Sequence, residues 1–424
     1  MFIPVIIKLI VSLLVIILVN RVAKNLPVSL ISGSLAFALW IGLSFKEILM
    51  TAYQRVWNFN TGGLMLLVGL VIILSMLMKQ TGVIEELVAT IRGSFSARSS
   101  IAVLPAMIGL LPMPGGALFS APLLDHFDDI PGIDPNVKTR INYWYRHVWE
   151  YAWPLYPGII IACDVAGIAL WQIFFLGIPL SISAIFIGYF FYLSKIDKNQ
   201  VGDPLRRAPI NIRPFIPILT VVISYILIQL FFPAIPEANQ YLPMVIGLII
   251  SVTTLQVRKP LSLDGWWQLI TAKNLYKMML IILMVRIYGA FIDVSIDGIP
   301  IVRLMTQEMQ QLGVPTLPLI MLIPFLAGIT MGVSVGFAGS ALPVVIALLG
   351  QDPSFGVLAG TLLFSYVCGF MGTMLSPLHV CMIVTCEYYK TGLSSSFRAV
   401  IMPAIVLIIV AFTYMQILIL LFPH

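Results

Sequence analysis

The stretch IAVLPAMIGLLPMPGGALFSAPLLDHF, residues 101–127, decides the fold, because it is apolar along its length and yet interrupted in its middle. Four helix-breaking residues stand at the interruption, namely Pro112, Pro114, Gly115 and Gly116. They leave two arms of about 11 residues, and a helix of that length rises only about 16 Å against a hydrocarbon core of about 30 Å. The stretch therefore predicts a re-entrant hairpin, which enters the membrane and returns.

The composition of the whole chain agrees with a membrane setting. Of the 424 residues, 60% are hydrophobic and 10% are charged, whereas about a quarter of the residues of a soluble domain are charged. This balance excludes a soluble globular protein. The first apolar stretch lacks the basic start and small-residue cleavage site of a signal peptide, so we expect it to be retained as a first span.

Eight stretches are apolar without interruption and are long enough for a helix to cross the bilayer. They cover residues 2–20, 27–44, 61–79, 170–193, 214–232, 241–257, 275–293 and 397–422. We predict a membrane helix for each of them. Together with the interrupted stretches they leave no room for a sizeable soluble domain.

The interrupted pattern occurs a second time, over residues 317–350, which predicts a second hairpin. Its apolar arms are separated by glycines, namely Gly332, Gly336 and Gly339. After each hairpin we predict a helix broken in its middle, over about residues 139–165 and about residues 357–388. Broken helices in lipid leave backbone groups unpaired, which is tolerated only inside protein or beside a water-filled cavity.

The matched order of these elements predicts two repeats. An offset of about 220 residues aligns the hairpins and the broken helices, and an amphipathic helix precedes each hairpin (VIEELVATIRG and IVRLMTQEMQQLG). We predict a first repeat over residues 1–194, a linker over 195–213 and a second repeat over 214–424. Each repeat makes five crossings, and because the number is odd the second repeat is inverted.

Basic residues orient the predicted spans. Nearly all of those assigned to loops and span ends fall on one side, and only Lys46, Arg55 and Arg303 fall on the other. By the positive-inside rule the first side is cytoplasmic, which predicts a cytoplasmic linker, extracytoplasmic termini and hairpins that enter from opposite faces. We expect a multi-pass protein of a prokaryotic cytoplasmic membrane.

Hairpin tips and helix breaks that meet near the midplane are a recurring way to build a solute site with access from both sides. The N-terminus of a half-helix offers N–H groups to an anion, glycines let the backbone approach it, and hydroxyls bind either charge. The predicted solute site comprises Pro114, Gly115, Gly116, Ser120, Ser334, Gly336, Gly339, Ser340, Thr373, Ser376 and His379. The candidate residues for a coupling ion are Glu150 and His379.

Three motifs carry a resemblance to known carriers: LPMPGGALFSAP (residues 111–122), GFAGSALP (336–343) and GFMGTMLSPLHVC (369–381). In architecture the chain resembles the ion transporter superfamily of secondary carriers, and the motifs look like the prokaryotic membrane family called domain of unknown function 401. The resemblance implies an elevator-type homodimer, with a scaffold formed by spans 1 to 3 of each half and a mobile domain formed by the rest. The Ser-Asn-Thr hairpin signature of dicarboxylate symporters is missing, so their substrate is not implied.

Ionisable residues inside a membrane are costly and usually face a cavity. For His379 two interpretations stay open: an anion ligand or proton relay, and a side chain that satisfies carbonyls freed by the helix break. Glu150 either binds a coupling proton or cation, or is a solvated acid in a belt of interfacial aromatic residues. Arg286 and Asp293 lie seven residues apart on one helical face and predict a structural ion pair, whereas Asp164 is expected to have no special role.

The expected function is secondary active transport of a small anionic solute, coupled to a sodium or proton gradient. An enzyme is disfavoured because the sequence contains no HExxH or GxSxG motif, and ATP-driven transport because it contains no Walker motif. A flippase for a lipid-linked anion such as a polyprenyl phosphate stays open, whereas a channel fits the inverted repeat less well. The cysteines predict buried thiols rather than a metal site, and no cofactor or nucleic-acid partner is expected. They are Cys163, Cys368, Cys381 and Cys386.

Overall fold

The structure is a computed structural model that describes residues 3–94, 97–111, 116–125, 133–196, 209, 211–296, 298–313 and 315–423. Within these ranges the chain is mostly helical. Its only described strands are β1 (Ser295–Ile296) and β2 (Ile299–Pro300), which pair antiparallel. The predicted helical fold class is therefore confirmed.

The helices of the described part are numbered in chain order. The first ten are α1 (Val5–Ala23), α2 (Leu26–Trp40), α3 (Phe45–Val56), α4 (Phe59–Gln80), α5 (Val83–Ser94), α6 (Ala97–Gly109), α7 (Ala117–Asp125), α8 (Pro135–Tyr145), α9 (Pro157–Ala166) and α10 (Leu170–Phe191). The others are α11 (Ile216–Phe231), α12 (Ala234–Ala238), α13 (Leu242–Arg258), α14 (Leu263–Ile270), α15 (Lys273–Ile292), α16 (Ile301–Leu312), α17 (Thr316–Met331), α18 (Ser334–Ser340), α19 (Leu342–Ala347), α20 (Phe355–Met374), α21 (Val380–Tyr389) and α22 (Leu393–Leu421).

Seven helical segments within the described ranges are long and apolar enough to cross a membrane, so the chain is a multi-pass membrane protein. They contain α1, α4, α10, α11, α15, α20 and α22. Six of them coincide with predicted uninterrupted spans, and α20 is the long first arm of the second interrupted helix. The predicted spans at α2 and α13 are also helical, but with 15 and 17 residues they are shorter than the six segments above, each of which has at least 19 residues.

Two short amphipathic helices, α3 and α14, lie where no element is predicted. Each follows a serine whose hydroxyl accepts a backbone hydrogen bond: Ser44 from Glu47 at 3.3 Å and Ser262 from Gly265 at 3.2 Å. The hydroxyl and backbone N–H of Ser44 both donate to the Glu47 carboxylate, and these bonds hold the pKa of Glu47 below its ordinary value. Capping thus starts helices that are too short to span the membrane.

One group of helices contains α1, α2, α4, α11, α13 and α15. Within it α1 packs on α2, α11 packs on α13, and α15 contacts both α2 and α4. Gly33 permits the close approach of α1 and α2, because a Cβ there would lie 2.2 Å from the Ile16 side chain. At one end of the group, Arg55 of α3 pairs with Asp293 after α15 at 2.5 Å.

The second group contains α6 to α10 and α17 to α22. In it α20 packs against both α17 and α22, and α10 also packs on α22. Helices from before the predicted linker pack on helices from after it, since α7 packs on α21 and α9 packs on α18. The interrupted regions that follow α8 and α20 are thereby brought together.

Arg286 of α15 is paired differently from the sequence prediction. Arg286 Nη1 donates to both carboxylate oxygens of Asp164, at 2.8 and 2.9 Å, and Arg286 Nε donates to Thr61 Oγ1 at 3.1 Å. Tyr241 also donates to Asp164. The predicted Arg286–Asp293 pair is therefore wrong, because the long arginine side chain reaches across to the end of α9. Both ion pairs line one cavity of about 180 Å³.

Candidate functional site between two broken helices

The first break separates α8 from α9 and consists of residues 146–156, which form successive turns. The N-cap of α8 is Asp134, whose carboxylate accepts the backbone N–H of Asn136 at 2.8 Å. This bond, together with one from the Asn136 side chain, holds the pKa of Asp134 below its ordinary value. At the far side of the break, Pro157 begins α9, a position where its missing N–H costs nothing.

Aromatic side chains hold the first break inside the protein. Trp144 donates its indole N–H to the carbonyl of Ala184 in α10 at 2.8 Å. Gly177 of α10 allows contact with the break itself, because a Cβ there would lie 2.2 Å from the Tyr151 carbonyl oxygen. Glu150 is only 7% exposed and Tyr151 2%, so the alternative of a solvated acid in an interfacial aromatic belt is wrong.

The second break, residues 375–379, separates α20 from α21 and is contacted by the second predicted hairpin. Pro377 stands in its centre, and Ser376 Oγ accepts the backbone N–H of Leu378 at 3.2 Å. Gly332 ends α17 in the left-handed conformation, with φ of 68°, and a Cβ on it would lie 3.1 Å from Ser376 Oγ. The Gly332 carbonyl oxygen lies 2.9 Å from His379 Nδ1, so this ring nitrogen satisfies a helix-end carbonyl.

The other nitrogen of His379 faces the first break. His379 Nε2 lies 3.3 Å from Nε2 of His147, and His147 Nδ1 lies 2.7 Å from the Tyr143 carbonyl oxygen. The ligand atoms of His147, His379 and Cys381 all lie within 4.8 Å of one another, and all three residues are buried. Sequence reasoning missed His147 and treated Cys381 as packing. The available signals were the His-x-Cys spacing at 379–381 and an ionisable dipeptide within an apolar segment.

Of the predicted residues at the first hairpin tip, Pro114 and Gly115 lie outside the described part of the chain, and Gly116 immediately precedes α7. A Cβ on Gly116 would lie 2.1 Å from Arg146 Nη2, so the guanidinium of Arg146 lies directly against this glycine. Arg146, which sequence reasoning also missed, is only 4% exposed. Its positive charge adds to the partial positive charge of the α7 N-terminus, and both attract an anion.

Two predicted serines lie beside the breaks. Ser376 belongs to the second break, and Ser334 lies against the start of α9. A Cβ on Gly158 would lie 2.9 Å from Ser334 Oγ and 2.7 Å from the Tyr366 hydroxyl. The structure therefore brings Ser334 and Ser376 into the same region as His379.

Other predicted site residues make contacts within helices or between them. Ser340 donates to the Gly336 carbonyl at 2.7 Å, and Thr373 donates to a carbonyl in the preceding turn at 3.1 Å. Ser120 is buried beside the preceding turn of α7. Gly339 faces α15, where a Cβ would lie 2.2 Å from Val285. In this conformation these hydroxyls bond to backbone and Gly339 serves helix packing, while their contact with a solute stays a prediction.

Several buried polar atoms near the first break have no hydrogen-bond partner among the described residues. They are Glu150 Oε2, Trp149 Nε1, Trp153 Nε1 and Tyr366 Oη. Buried polar groups are normally paired, and each one left unpaired costs about 1–3 kcal/mol. Convergent polar groups of this kind are typical of a binding site.

The fold is similar to that of a solved transporter, the YdaH transporter of Alcanivorax borkumensis, whose crystal structure is described as revealing an unusual topology. The TM-score is 0.56, with 13% sequence identity over 88% of each chain. At this identity the likeness concerns the fold alone. No protein among those with curated descriptions matches the sequence.

The family predicted from the hairpin and helix-break motifs is confirmed. A model of the family described as "Protein of unknown function (DUF401)" matches residues 7–418, which is nearly the whole chain. The chain belongs to the DUF401 family.

Proposed function

We propose that this protein is a secondary active transporter that moves a small anionic solute across the membrane by alternating access. The observation that carries the proposal is the position of Arg146, whose buried guanidinium lies against Gly116 at the N-terminal end of α7. Arginine presents a planar fork of donors that matches carboxylate and phosphate oxygens. The likeness of the fold to a transporter supports the transport part of the proposal.

The surrounding groups suit a small polar solute. Ser334 and Ser376 place hydroxyls beside the two breaks, and Tyr366 and Glu150 add polar atoms that lack partners within the described chain. The hydrogen-bond donors of these side chains would bind the charged end of the solute. The carboxylate of Glu150 would accept hydrogen bonds from hydroxyl or ammonium groups of the solute. This arrangement favours a carboxylate or oxyanion that carries further polar groups.

The mechanism that we propose is of the elevator type, within the ion transporter superfamily. The group of α1, α2, α4, α11, α13 and α15 would be the static scaffold of a homodimer, and the second group the moving domain. Support comes from the extensive packing of helices within each group and from the contacts of α7 with α21 and of α18 with α9, which join the two predicted repeats. The energy source would be a sodium or proton gradient across a prokaryotic cytoplasmic membrane, with extracytoplasmic termini and re-entrant hairpins entering from opposite sides.

One observation favours a second candidate, a flippase for a lipid-linked anion such as a polyprenyl phosphate. Apolar residues at the second break and the neighbouring hairpin tip are exposed on the surface of the chain: Leu378 is 44% exposed, Val380 50% and Val333 44%. A lipid chain lying on them would place its phosphate near the breaks.

Ligand-induced thermal stabilisation separates these candidates, because a compound that binds the folded state raises its stability by mass action. The purified protein would be heated with carboxylates, sugar acids, oxyanions or polyprenyl phosphates, with and without sodium and at several pH values. The same panel would be applied to Arg146→Gln and to Gly62→Ala, a control at a position where an added Cβ meets nothing within 4 Å.

We expect one soluble anion to stabilise the wild type and Gly62→Ala but not Arg146→Gln, and to be taken up by proteoliposomes under an imposed gradient. Stabilisation by polyprenyl phosphates alone would favour the flippase. An anion that stabilises Arg146→Gln as strongly as the wild type would remove Arg146 from the site and overturn the proposal.

A further inference from the structure

We propose that His147, His379 and Cys381 form a binding site for one transition-metal ion, with Zn²⁺ as the best match. The inference does not depend on the identity of the transported solute. It replaces the expectation that the chain has no metal site, and it assigns to His379 a ligand role in place of proton coupling. The ligands come from both breaks, since His147 lies in the first, His379 ends the second and Cys381 lies in the first turn of α21.

The tautomers of the two histidines are fixed by the backbone. Nδ1 of His147 and Nδ1 of His379 each lie within hydrogen-bond distance of a carbonyl oxygen, which can only accept. Each Nδ1 therefore carries a proton, and in a neutral imidazole the other nitrogen, Nε2, then has a free lone pair. This is the arrangement by which proteins orient metal-binding histidines, with one ring nitrogen bonded to a carbonyl and the other to the metal.

The two lone pairs face each other. Nε2 of His147 and Nε2 of His379 are 3.3 Å apart, and neither has a proton to donate to the other. Two acceptors at this distance in a buried site repel unless an electron-poor group lies between them. A zinc ion bound tetrahedrally at about 2.0–2.1 Å from each nitrogen separates the two nitrogens by about 3.3–3.4 Å, which agrees with the observed distance.

The thiol distinguishes a metal ion from a shared proton. One proton between the histidines would need no third group, but the Cys381 sulfur lies within 4.8 Å of a ring nitrogen of each histidine. Two imidazoles and a thiolate are soft and intermediate ligands that favour zinc over magnesium or calcium, which prefer oxygen. Three protein ligands leave one tetrahedral position for water or another ligand.

The surroundings also suit a bound metal. Tyr143 and Phe370 pack against the imidazoles, with ring centroids 5.2 Å from His147 for Tyr143 and 5.8 Å for Phe370. This apolar shell excludes most water, which strengthens the attraction between a cation and its ligands. Because the ligands come from two breaks, a bound ion would hold the breaks together.

Cobalt titration of the full-length protein tests the site. The tag-free protein, stripped with EDTA, would be titrated with Co²⁺ and then with Zn²⁺. We expect one Co²⁺ per chain, with the visible absorption of a tetrahedral complex and a near-ultraviolet sulfur-to-cobalt charge-transfer band that Zn²⁺ removes.

Two cysteine variants test whether Cys381 is the sulfur ligand. Cys381→Ser should lose the charge-transfer band, whereas Cys386→Ser should keep it, since Cys386 contacts Met382 and Ser396 instead. X-ray absorption of the zinc-loaded wild type, which requires no variant to fold, should show one sulfur neighbour and the scattering pattern of two imidazoles, beside the ligand in the fourth position. A folded wild type that binds no stoichiometric Co²⁺, or a band unchanged by Cys381→Ser, would overturn the proposal.

Discussion

The two helix breaks, residues 146–156 and 375–379, meet in one region but supply different chemistry. The first contributes buried ionisable side chains, namely Arg146, His147 and Glu150. The second is shorter and contributes His379 and Ser376, while apolar residues around it are exposed. Both breaks contain proline, which interrupts the helix, and both lie inside protein, where freed backbone groups are tolerated. Neither condition requires the other side chains of the two breaks to match.

The helices that follow the two breaks also differ in the burial of their acidic residues. At the end of α9, Asp164 is 5% exposed as a side chain and pairs with Arg286 of α15. Near the end of α21, Glu387 is exposed. The first broken helix is therefore tied to the neighbouring helix group by a charge pair that is largely shielded from solvent. This asymmetry makes the first break the better candidate for charge recognition and suggests four tests.

The largest effect is expected from Asp164→Asn. This change leaves the Arg286 guanidinium, whose side chain is only 11% exposed, without its ionic partner, which should lower the free energy of unfolding by about 3–5 kcal/mol. Denaturation of the detergent-solubilised protein measures it. Glu387→Gln, at the matching end of α21, should change stability by no more than about 0.5 kcal/mol. Equal losses in the two variants would show that the ends of the broken helices are equivalent.

Arg146→Gln should weaken binding of the stabilising anion by roughly 30-fold or more, because loss of a buried charged partner typically costs about 2–5 kcal/mol. Ser376→Ala, in the second break, removes one neutral hydroxyl and should weaken binding only about 5-fold. The concentration dependence of thermal stabilisation gives both affinities. A larger loss from Ser376→Ala would reverse the assigned roles of the breaks.

Gly116→Ala should weaken anion binding about 10-fold, provided that Arg146 is the anion ligand. The added methyl group would lie 2.1 Å from Arg146 Nη2 and must displace the guanidinium. Gly62→Ala places a methyl group in open space and should leave affinity unchanged. Unchanged affinity in Gly116→Ala would mean that the guanidinium is not positioned against this residue when the anion binds.

The smallest effect on stability is expected from a hydrogen bond that joins the helices preceding the two breaks. The Tyr143 hydroxyl donates to the Met374 carbonyl at 2.7 Å, so Tyr143→Phe leaves a buried carbonyl with one partner fewer. Stability should fall by about 1–2 kcal/mol. Tyr53→Phe, whose ring is on the exposed face of α3, should have no measurable effect. Both values come from the same denaturation experiment, and an unaffected Tyr143→Phe would exclude this bond as a link.

The sequence predicted the helical class, the eight uninterrupted helices and the positions of both breaks. Helix length follows from apolar runs, and breaks follow from proline and glycine, so both are local properties. Even α3 carried a local signal in the Ser-x-x-Glu spacing at residues 44–47, which is a capping box. Within the site, local reasoning selected Gly116, Ser334, Ser376 and His379 because they lie at tips and breaks.

Other site features depended on distant parts of the chain. His147 and His379 are 232 residues apart, and Asp164 and Arg286 are 122 apart. No periodicity links residues at such separations, which is why Arg286 was assigned to the wrong partner on its own helix. The roles of Arg146 and Cys381 became visible only from their neighbours in space.

The sequence by itself therefore determined that this chain enters the membrane, where its helices lie and where they break, because the hydrophobic effect and backbone sterics act on neighbouring residues. The tertiary structure decided which side chains meet at the breaks. Packing of α7 on α21 and of α18 on α9 fixes those pairs, and such packing depends on the shapes of surfaces formed by distant segments.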